Sequence, residues 1–245
     1  MATITTGNFA KALWPGVNSW YGQSYNEHKV EWTDLFDTYK SNRNYEEDMG
    51  ITSFGLASAK PEGSAITYDE ERQGFLTRYT HVVYGNGFIV TREMVEDDLY
   101  SIVAQKRAKG LAYSMRQTKE TVASNVFNRA FNSSFVGGDG VELCSTAHVN
   151  VAGGTWGNEL ATSADLSEAS LEQACIDIGR WTDLTDADAW FLKTDVADGM
   201  KCYQRRPLQF AIDNDFDTEN AKFKAVERYS FGWTDPRAIY GSPGA

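Results

Sequence analysis

The chain has 245 residues, long enough for one large domain or two small ones around a sizeable core. Its 34 acidic residues against 23 Lys and Arg give a formal net charge of −11, which argues against a nucleic-acid grip through a general basic surface. At 42% hydrophobic and 23% charged it is too apolar to stay disordered, and no run approaches the roughly 18 apolar residues of a membrane span. Met1 to Thr6 has neither the basic nor the apolar stretch of a secretory signal, so secretion by that route is not expected. The three cysteines, Cys144, Cys175 and Cys202, are odd in number and widely spaced, which suits free thiols in a reducing cytoplasm. Seven Trp, 12 Tyr and 13 Phe are many for so acidic a chain and point to extensive contact with partners.

The first fifty residues do not read as a domain of their own. Phe9, Leu13, Trp14, Val17, Trp20, Tyr21 and Tyr25 are scattered among Gly, Asn and Ser without sustained periodicity. A solvated tail rarely carries such aromatics, so the segment reads as an arm that orders against something else. A short helix is expected over 31–39, with Trp32, Leu35, Phe36 and Tyr39 on one face.

From Thr52 to Val90 the signals are strands and turns. A polar tip, Ser58 to Ser64, is flanked by Ile66–Tyr68 and by the β-branched and aromatic run Phe75–Tyr84. Gly85-Asn86-Gly87 reads as a turn, after which Phe88–Val90 resumes a strand. Together these predict a long, partly exposed β-ribbon.

Thr91 is placed to cap a helix, with Glu93, Glu96, Asp97 and Asp98 near the positive end of its dipole. Apolar residues at helical spacing run on to Phe127, and nothing breaks the pattern before Asn132. Gly110 weakens its middle by about 1 kcal/mol against Ala. A helix of about 40 residues spans roughly 60 Å, the length of a spine to which other elements attach.

A Gly-rich loop (137–140) leads into Val141–His148, read as strand or loop, and a second Gly-rich loop runs through Gly157. A second helix is expected over 167–181, its apolar stripe made by Leu171, Ala174, Cys175 and Ile178. Strands follow at Trp190–Lys193, Met200–Tyr203, Leu208–Ile212 and Ala221–Trp233, the last alternating as a half-buried strand does. Gly241-Ser242-Pro243-Gly244 closes the chain.

Short catalytic and metal motifs are missing. Asp213-x-Asp215-x-Asp217 has Thr218 and Lys224 where a calcium loop needs Gly and a carboxylate, so it reads as an acidic turn. His28, His81, His148 and the cysteines form no zinc-ligand spacing. Cys144 and His148 lack the setting of a nucleophile and base, and read as a buried thiol and a polar loop histidine. No Gly-rich loop carries the Lys-Ser or Lys-Thr of a phosphate loop. No enzyme activity, metal or cofactor is expected. The arm, ribbon and spine cannot each bury themselves in one subunit, which is the logic of an assembling shell.

The order of these parts resembles the major capsid proteins of tailed bacteriophages, which share the Hong Kong 97-like fold. The resemblance is carried by Val82–Tyr100 leading into the long helix, by Leu143–His148, and by Ala164–Ser167 with the helix ending at Trp181-Thr182-Asp183. It continues through Ala189–Lys193 and on to Trp233. It implies an α+β fold of N-terminal arm (1–51), extended β-ribbon loop (52–90), spine helix and peripheral mixed α/β domain (91–183), and return strands (184–245). The family's axial domain is apparently reduced or missing, since Asp183 runs straight into Leu184 where several dozen residues would be expected.

The function so implied is a major capsid structural protein that self-assembles, as pentamers and hexamers, into an icosahedral shell around double-stranded DNA. The implied partners are other copies of the chain, a scaffold, a portal, a decoration protein, and packaged DNA bound without sequence preference. No membrane is among them. The implied location is the virion, after assembly in the host bacterial cytoplasm. Candidate assembly residues are Trp14, Trp20 and Tyr21 in the arm, Lys60, Glu62, Arg72 and Arg78 on the loop, and Arg205 and Arg206 before the return strand. Local packing for the aromatics and solvated surface for the charges are the alternatives. Two other readings are an encapsulin-like nanocompartment shell and a monomeric ligand-binding module.

Overall fold

The computed structural model describes residues 19, 21–52, 57–69, 72–96, 100–177, 190–194, 196, 199–215 and 220–244. In chain order these form α1 (21–27), a 3-10 turn at Trp32–Asp34, β1 (Asp37–Lys40), β2 (Tyr45–Ile51), β3 (Gln73–Thr80) and β4 (Val82–Val90). There follow α2 (Arg92–Glu96), α3 (Tyr100–Asn128), β5 (His148–Val149), β6 (Thr155–Trp156) and α4 (Glu168–Asp177). The chain ends with β7 (Trp190–Lys193), β8 (Met200–Asn214), β9 (Ala221–Trp233), a 3-10 turn at Pro236–Ala238, and β10 (Ile239–Ser242). Trp14, Trp20, the end of the predicted second helix and the Asp183–Leu184 junction lie outside the described residues. The chain divides into two units, one of residues 1–44, 81–125 and 202–230, the other of 45–80, 126–201 and 231–245.

The first unit is a four-stranded sheet, ordered β1-β8-β9-β4, packed on α3 and α1. The Thr91 hydroxyl accepts the Met94 N–H at 3.4 Å, so the expected cap forms. Along α3, Ala104, Ala108, Leu111, Ala112 and Met115 face the sheet, and the small alanines let it approach Ala221, Phe223 and Ala225 of β9. Strand β9 alternates buried and open positions from Ala221, as its sequence predicts. In the core, Lys119 pairs with Glu227, and its ammonium lies 4.8 Å from the Trp32 ring and 4.9 Å from that of Tyr229.

Several local expectations give way to long-range pairing. The helix expected over 31–39 is one 3-10 turn followed by β1. The Glu120 carboxylate takes the Glu31 and Trp32 N–H groups at 3.1 and 3.0 Å, and Ser41 N–H reaches the Gln204 carbonyl at 3.1 Å, so the segment is drawn to α3 and to the sheet. Gly85-Asn86-Gly87 is not a turn but the middle of β4, paired with Val226, Ala225 and Lys224. A Cβ on Gly87 would lie 2.4 Å from the Phe223 carbonyl oxygen, so glycine serves a close strand approach here. Met200–Tyr203 and Leu208–Ile212 are one strand, β8, which runs through Pro207.

The second unit holds the ribbon. Strand β3 pairs antiparallel with β2, not with β4, in the register Tyr45↔Thr80, Glu47↔Arg78 and Met49↔Leu76. Ile66–Tyr68 is exposed and irregular rather than a strand. At the ribbon's root Asp48 pairs with Lys201 and accepts the Thr234 hydroxyl at 2.5 Å, and Tyr79 Oη lies 2.6 Å from Thr234 Oγ1. The Gly241–Gly244 terminus contributes to β10, which pairs with β7.

Asn158 organises the loops beneath. Its Nδ2 lies 2.7, 2.9 and 3.0 Å from the Leu143, Pro236 and Ile239 carbonyls, and its Oδ1 accepts the Ser145 N–H at 2.8 Å. His148 is no polar loop residue: it is fully buried, stacked on Trp156, and held by Asp139 at 2.6 Å and Asn158 at 3.0 Å. Of Val141–His148, only His148 joins a regular strand, because this polar network replaces the sheet ladder. Ser167 caps α4: Ser170 N–H donates to its Oγ at 3.2 Å, while its own N–H donates to Ser170 Oγ at 2.8 Å. A serine thereby fills the role that Glu plays in the usual reciprocal cap.

Candidate assembly surface

The ribbon has two unlike faces because side chains alternate along a strand. Tyr79 and Asp48 point into their own unit. Tyr45, Glu47, Met49 and Ile51 of β2 and Leu76 and Arg78 of β3 point out, with Ile51 and Leu76 more than half exposed. Across this outer face Arg78 pairs with Glu47 at 2.5 Å and lies 4.4 Å from the centre of the Tyr45 ring. The result is an apolar strip, Tyr45, Met49, Leu76 and Ile51, with one ion pair set in it. Beyond it every residue from 57 to 69 is exposed. Gly63, at φ 78°, and Ser64, which donates from N–H and Oγ to the Pro61 carbonyl at 3.2 and 2.8 Å, shape a turn at its tip. Tyr68 is 88% exposed and Ile66 63%, far more open than large apolar side chains usually are.

The candidate residues are placed unevenly. Lys60 and Glu62 stand exposed at the loop tip. Arg72 is exposed too; its backbone N–H donates to Thr52 Oγ1 at 2.7 Å and its carbonyl accepts the Thr52 N–H at 3.0 Å, closing the base of the loop. Arg78 is on the outer ribbon face. Tyr21 is buried in its own unit, stacked 4.6 Å from Phe210, where burial pushes its hydroxyl well above the usual phenol range. Arg205 and Arg206 are half-buried on β8. Trp14 and Trp20 lie outside the described residues. Lys60, Glu62, Arg72 and Arg78 thus all lie exposed on the ribbon or its loop. The apolar strip was missed by sequence reasoning, although the alternation in Tyr45–Ile51 and Gln73–Thr80 carried the signal.

Among the described residues no exposed cysteine accompanies this surface. Cys144 and Cys202 are buried and free. Burial pushes the Cys202 thiol up to about 12 and the Cys144 thiol higher still. His81 sits between Ser41 Oγ and Ser230 Oγ at 2.9 Å each, a contact no sequence spacing suggested, but it is closed in and buried. Among the described residues no group of three or more His, Cys, Asp and Glu side chains could hold a metal. The acidic turn uses Asp215 to pair with Lys222 at 2.6 Å; Asp217 lies outside the described residues. An open cleft of about 210 Å³ indents the second unit, lined among others by Gly50, Phe75, Trp156, Trp233 and Arg237.

An exposed ribbon, a long helix and a sheet in this order fit the Hong Kong 97-like fold. The chain is similar to the procapsid protein of bacteriophage JBD30, with a TM-score of 0.61 at 14% identity over 96% of this chain and 76% of that one. It is similar also to the JBD30 capsid, with a TM-score of 0.58 at 12% identity over 87% of this chain and 65% of that one. A JBD30 capsid decorated with minor capsid protein trimers gives 0.52 at 12% identity, over 88% of this chain and 64% of that one. The chain thus spans just under two thirds of the length of the two JBD30 capsid chains. In sequence, residues 75–181 match the family model described as phage capsid protein. No curated protein matches. Part of the chain thus matches a phage capsid family in sequence, and the chain shares its fold with phage capsid proteins.

Proposed function

We propose that the chain is the repeating subunit of a closed icosahedral shell that assembles in the cytoplasm of a host bacterium and encloses double-stranded DNA in the virion. The observation that carries this reading is the outer ribbon face with its loop, an apolar surface left exposed among the described residues. Exposed apolar strips of this kind are covered by partners, and in a shell the partner is another copy. In this reading the arm is the part of 1–51 that precedes β1, the ribbon of β2 and β3 with its loop reaches a neighbour, 91–183 hold the spine helix and peripheral domain, and 184–245 return. A shortened or missing axial domain at Asp183–Leu184 belongs to the same proposal.

Pentamers and hexamers are what the resemblance to tailed-phage capsid proteins implies for such a shell, whose heterologous contacts must close. Lys60, Glu62, Arg72 and Arg78 make the polar part of the contact, and Trp14, Trp20, Arg205 and Arg206 support it from the arm and return strand, whereas Tyr21 packs inside its own unit. Scaffold, portal and decoration proteins are further partners of such a shell, and catalysis is no part of its role. The match to a phage capsid family favours a genome container over a nanocompartment. Light scattering on the expressed, purified chain tests the proposal. Particles of megadalton mass support it, and a stable monomer across salt and concentration refutes it.

A further inference from the structure

Helix α3 carries Lys106, Arg107, Lys109, Arg116 and Lys119 against one acid, Glu120, in a chain whose net charge is −11. Lys119 is engaged by Glu227 in the core, and Arg116 lies 3.8 Å from the centre of the Tyr25 ring and donates to the Tyr25 carbonyl at 3.0 Å. Lys106, Arg107 and Lys109 are different. All three are exposed, and among the described residues none is paired with a carboxylate; Arg107 donates to the Ile89 carbonyl at 3.4 Å. Lys106, Lys109, Gly110, Tyr113 and Gln117 recur at helical spacing and make one exposed face, opposite the alanines and Met115 in the core.

Gly110 sits in the middle of that face. Among the described residues a Cβ there would meet nothing within 4 Å, and its φ is not positive, so no described neighbour calls for glycine. A helix-weakening residue with no internal reason is explained by something outside that comes close to the backbone.

We propose that this face of α3 is the surface that touches packaged DNA, and hence the side of the subunit turned toward the lumen. The inference rests on the shell reading and adds an orientation to it. Unpaired cations on either side of a bare backbone suit phosphates, which line a duplex at about one charge per 1.7 Å. A protein partner would require an apolar centre, whereas Tyr113 is the lone large apolar side chain on the face. The acidic balance of the rest of the chain fits as well. A site of three cations is weak in one subunit and adds up only over many copies, so the DNA is held without being fixed.

The test is fluorescence anisotropy of a labelled duplex of about 20 base pairs, titrated with full-length chain kept unassembled at low concentration, while salt is varied. Three phosphate contacts give a log–log slope against salt of about −2.7. Lys106→Gln, Arg107→Gln and Lys109→Gln combined should lower the affinity at low salt by about tenfold or more and flatten the slope. Lys40→Gln, Lys193→Gln and Lys224→Gln combined should leave both unchanged. Circular dichroism checks that each variant is folded, and duplex protection of Lys106 and Lys109 from acetylation in the native chain gives a readout that needs no variant. Equal affinity in the α3 variant, equal loss in the control, or unprotected lysines overturns the inference. So does an α3 variant that keeps its duplex affinity but no longer assembles, since the face would then be a contact between copies. Electron microscopy of the native preparation separates the two readings: absent shells sink the shell proposal itself, whereas shells with unchanged duplex binding sink this inference alone.

Discussion

At Cys144 and Cys202, burial decides the chemistry. A thiol removed from water resists ionisation, and only the thiolate reacts. Cys202 is pushed up to about 12 even with Lys119 nearby to lower it, and Cys144, near Glu159 and Glu142, goes higher. In a Cys175→Ser background the native chain should give almost no reaction with a thiol reagent at pH 8, and both thiols should react after unfolding. The same shifts make stability depend on pH. Below the ordinary thiol value of 9.0 both states hold their protons, so these groups contribute no pH dependence. Above it the unfolded chain releases protons that the folded chain keeps, and stability falls as pH rises. Thermal melts should therefore be flat up to about pH 8.5 and decline beyond, less steeply in a Cys144→Ser, Cys202→Ser variant. Gly110 gives a second prediction at this scale. Because a methyl group there meets open space, Gly110→Ala should stabilise the free chain by about 1 kcal/mol, read as a raised Tm.

Among the elements, the ones legible in the sequence are those whose signals are local. Thr91 capping a helix, the spine helix itself, Ser167 opening α4 and the alternation of β9 all follow from hydroxyl chemistry and periodicity. What stayed hidden depends on distant partners. Gly85-Asn86-Gly87 is a turn by composition and a strand by pairing, because β9 supplies the neighbour. The aromatics of 31–39 fit a helix by spacing, but Glu120 and β8 recruit the segment for other structure. The ribbon was expected, yet its pairing of β3 with β2 was not, and so the strip of Tyr45, Met49, Ile51 and Leu76 went unnoticed while its charged member Arg78 was named. The ribbon also carries its own prediction. Met49→Lys and Leu76→Lys combined place charges on the outer face, where they cost the isolated chain within about 0.5 kcal/mol. A melt of the unassembled subunit should scarcely move, whereas assembly measured by light scattering should fail. A variant that unfolds, or one that still assembles, would contradict the role given to this face.

For the whole molecule, the chain's charge and its exposed surface belong to the same description. A net charge of −11 keeps subunits soluble and apart until shape-complementary contacts form. In the proposed shell those contacts come from the ribbon and loop, where large apolar side chains such as Tyr68 are exposed in the single chain. Many modest interfaces, each repeated by symmetry, then hold a lattice that no single interface could. The account rests on that surface being covered by other copies of the chain. Electron microscopy of the purified wild-type chain, concentrated in physiological salt, tests it most directly. Closed, uniform shells, with the loop of 57–69 lying against a neighbouring subunit, are the predicted result. Dispersed monomers, or shells in which that loop touches no neighbour, would contradict it.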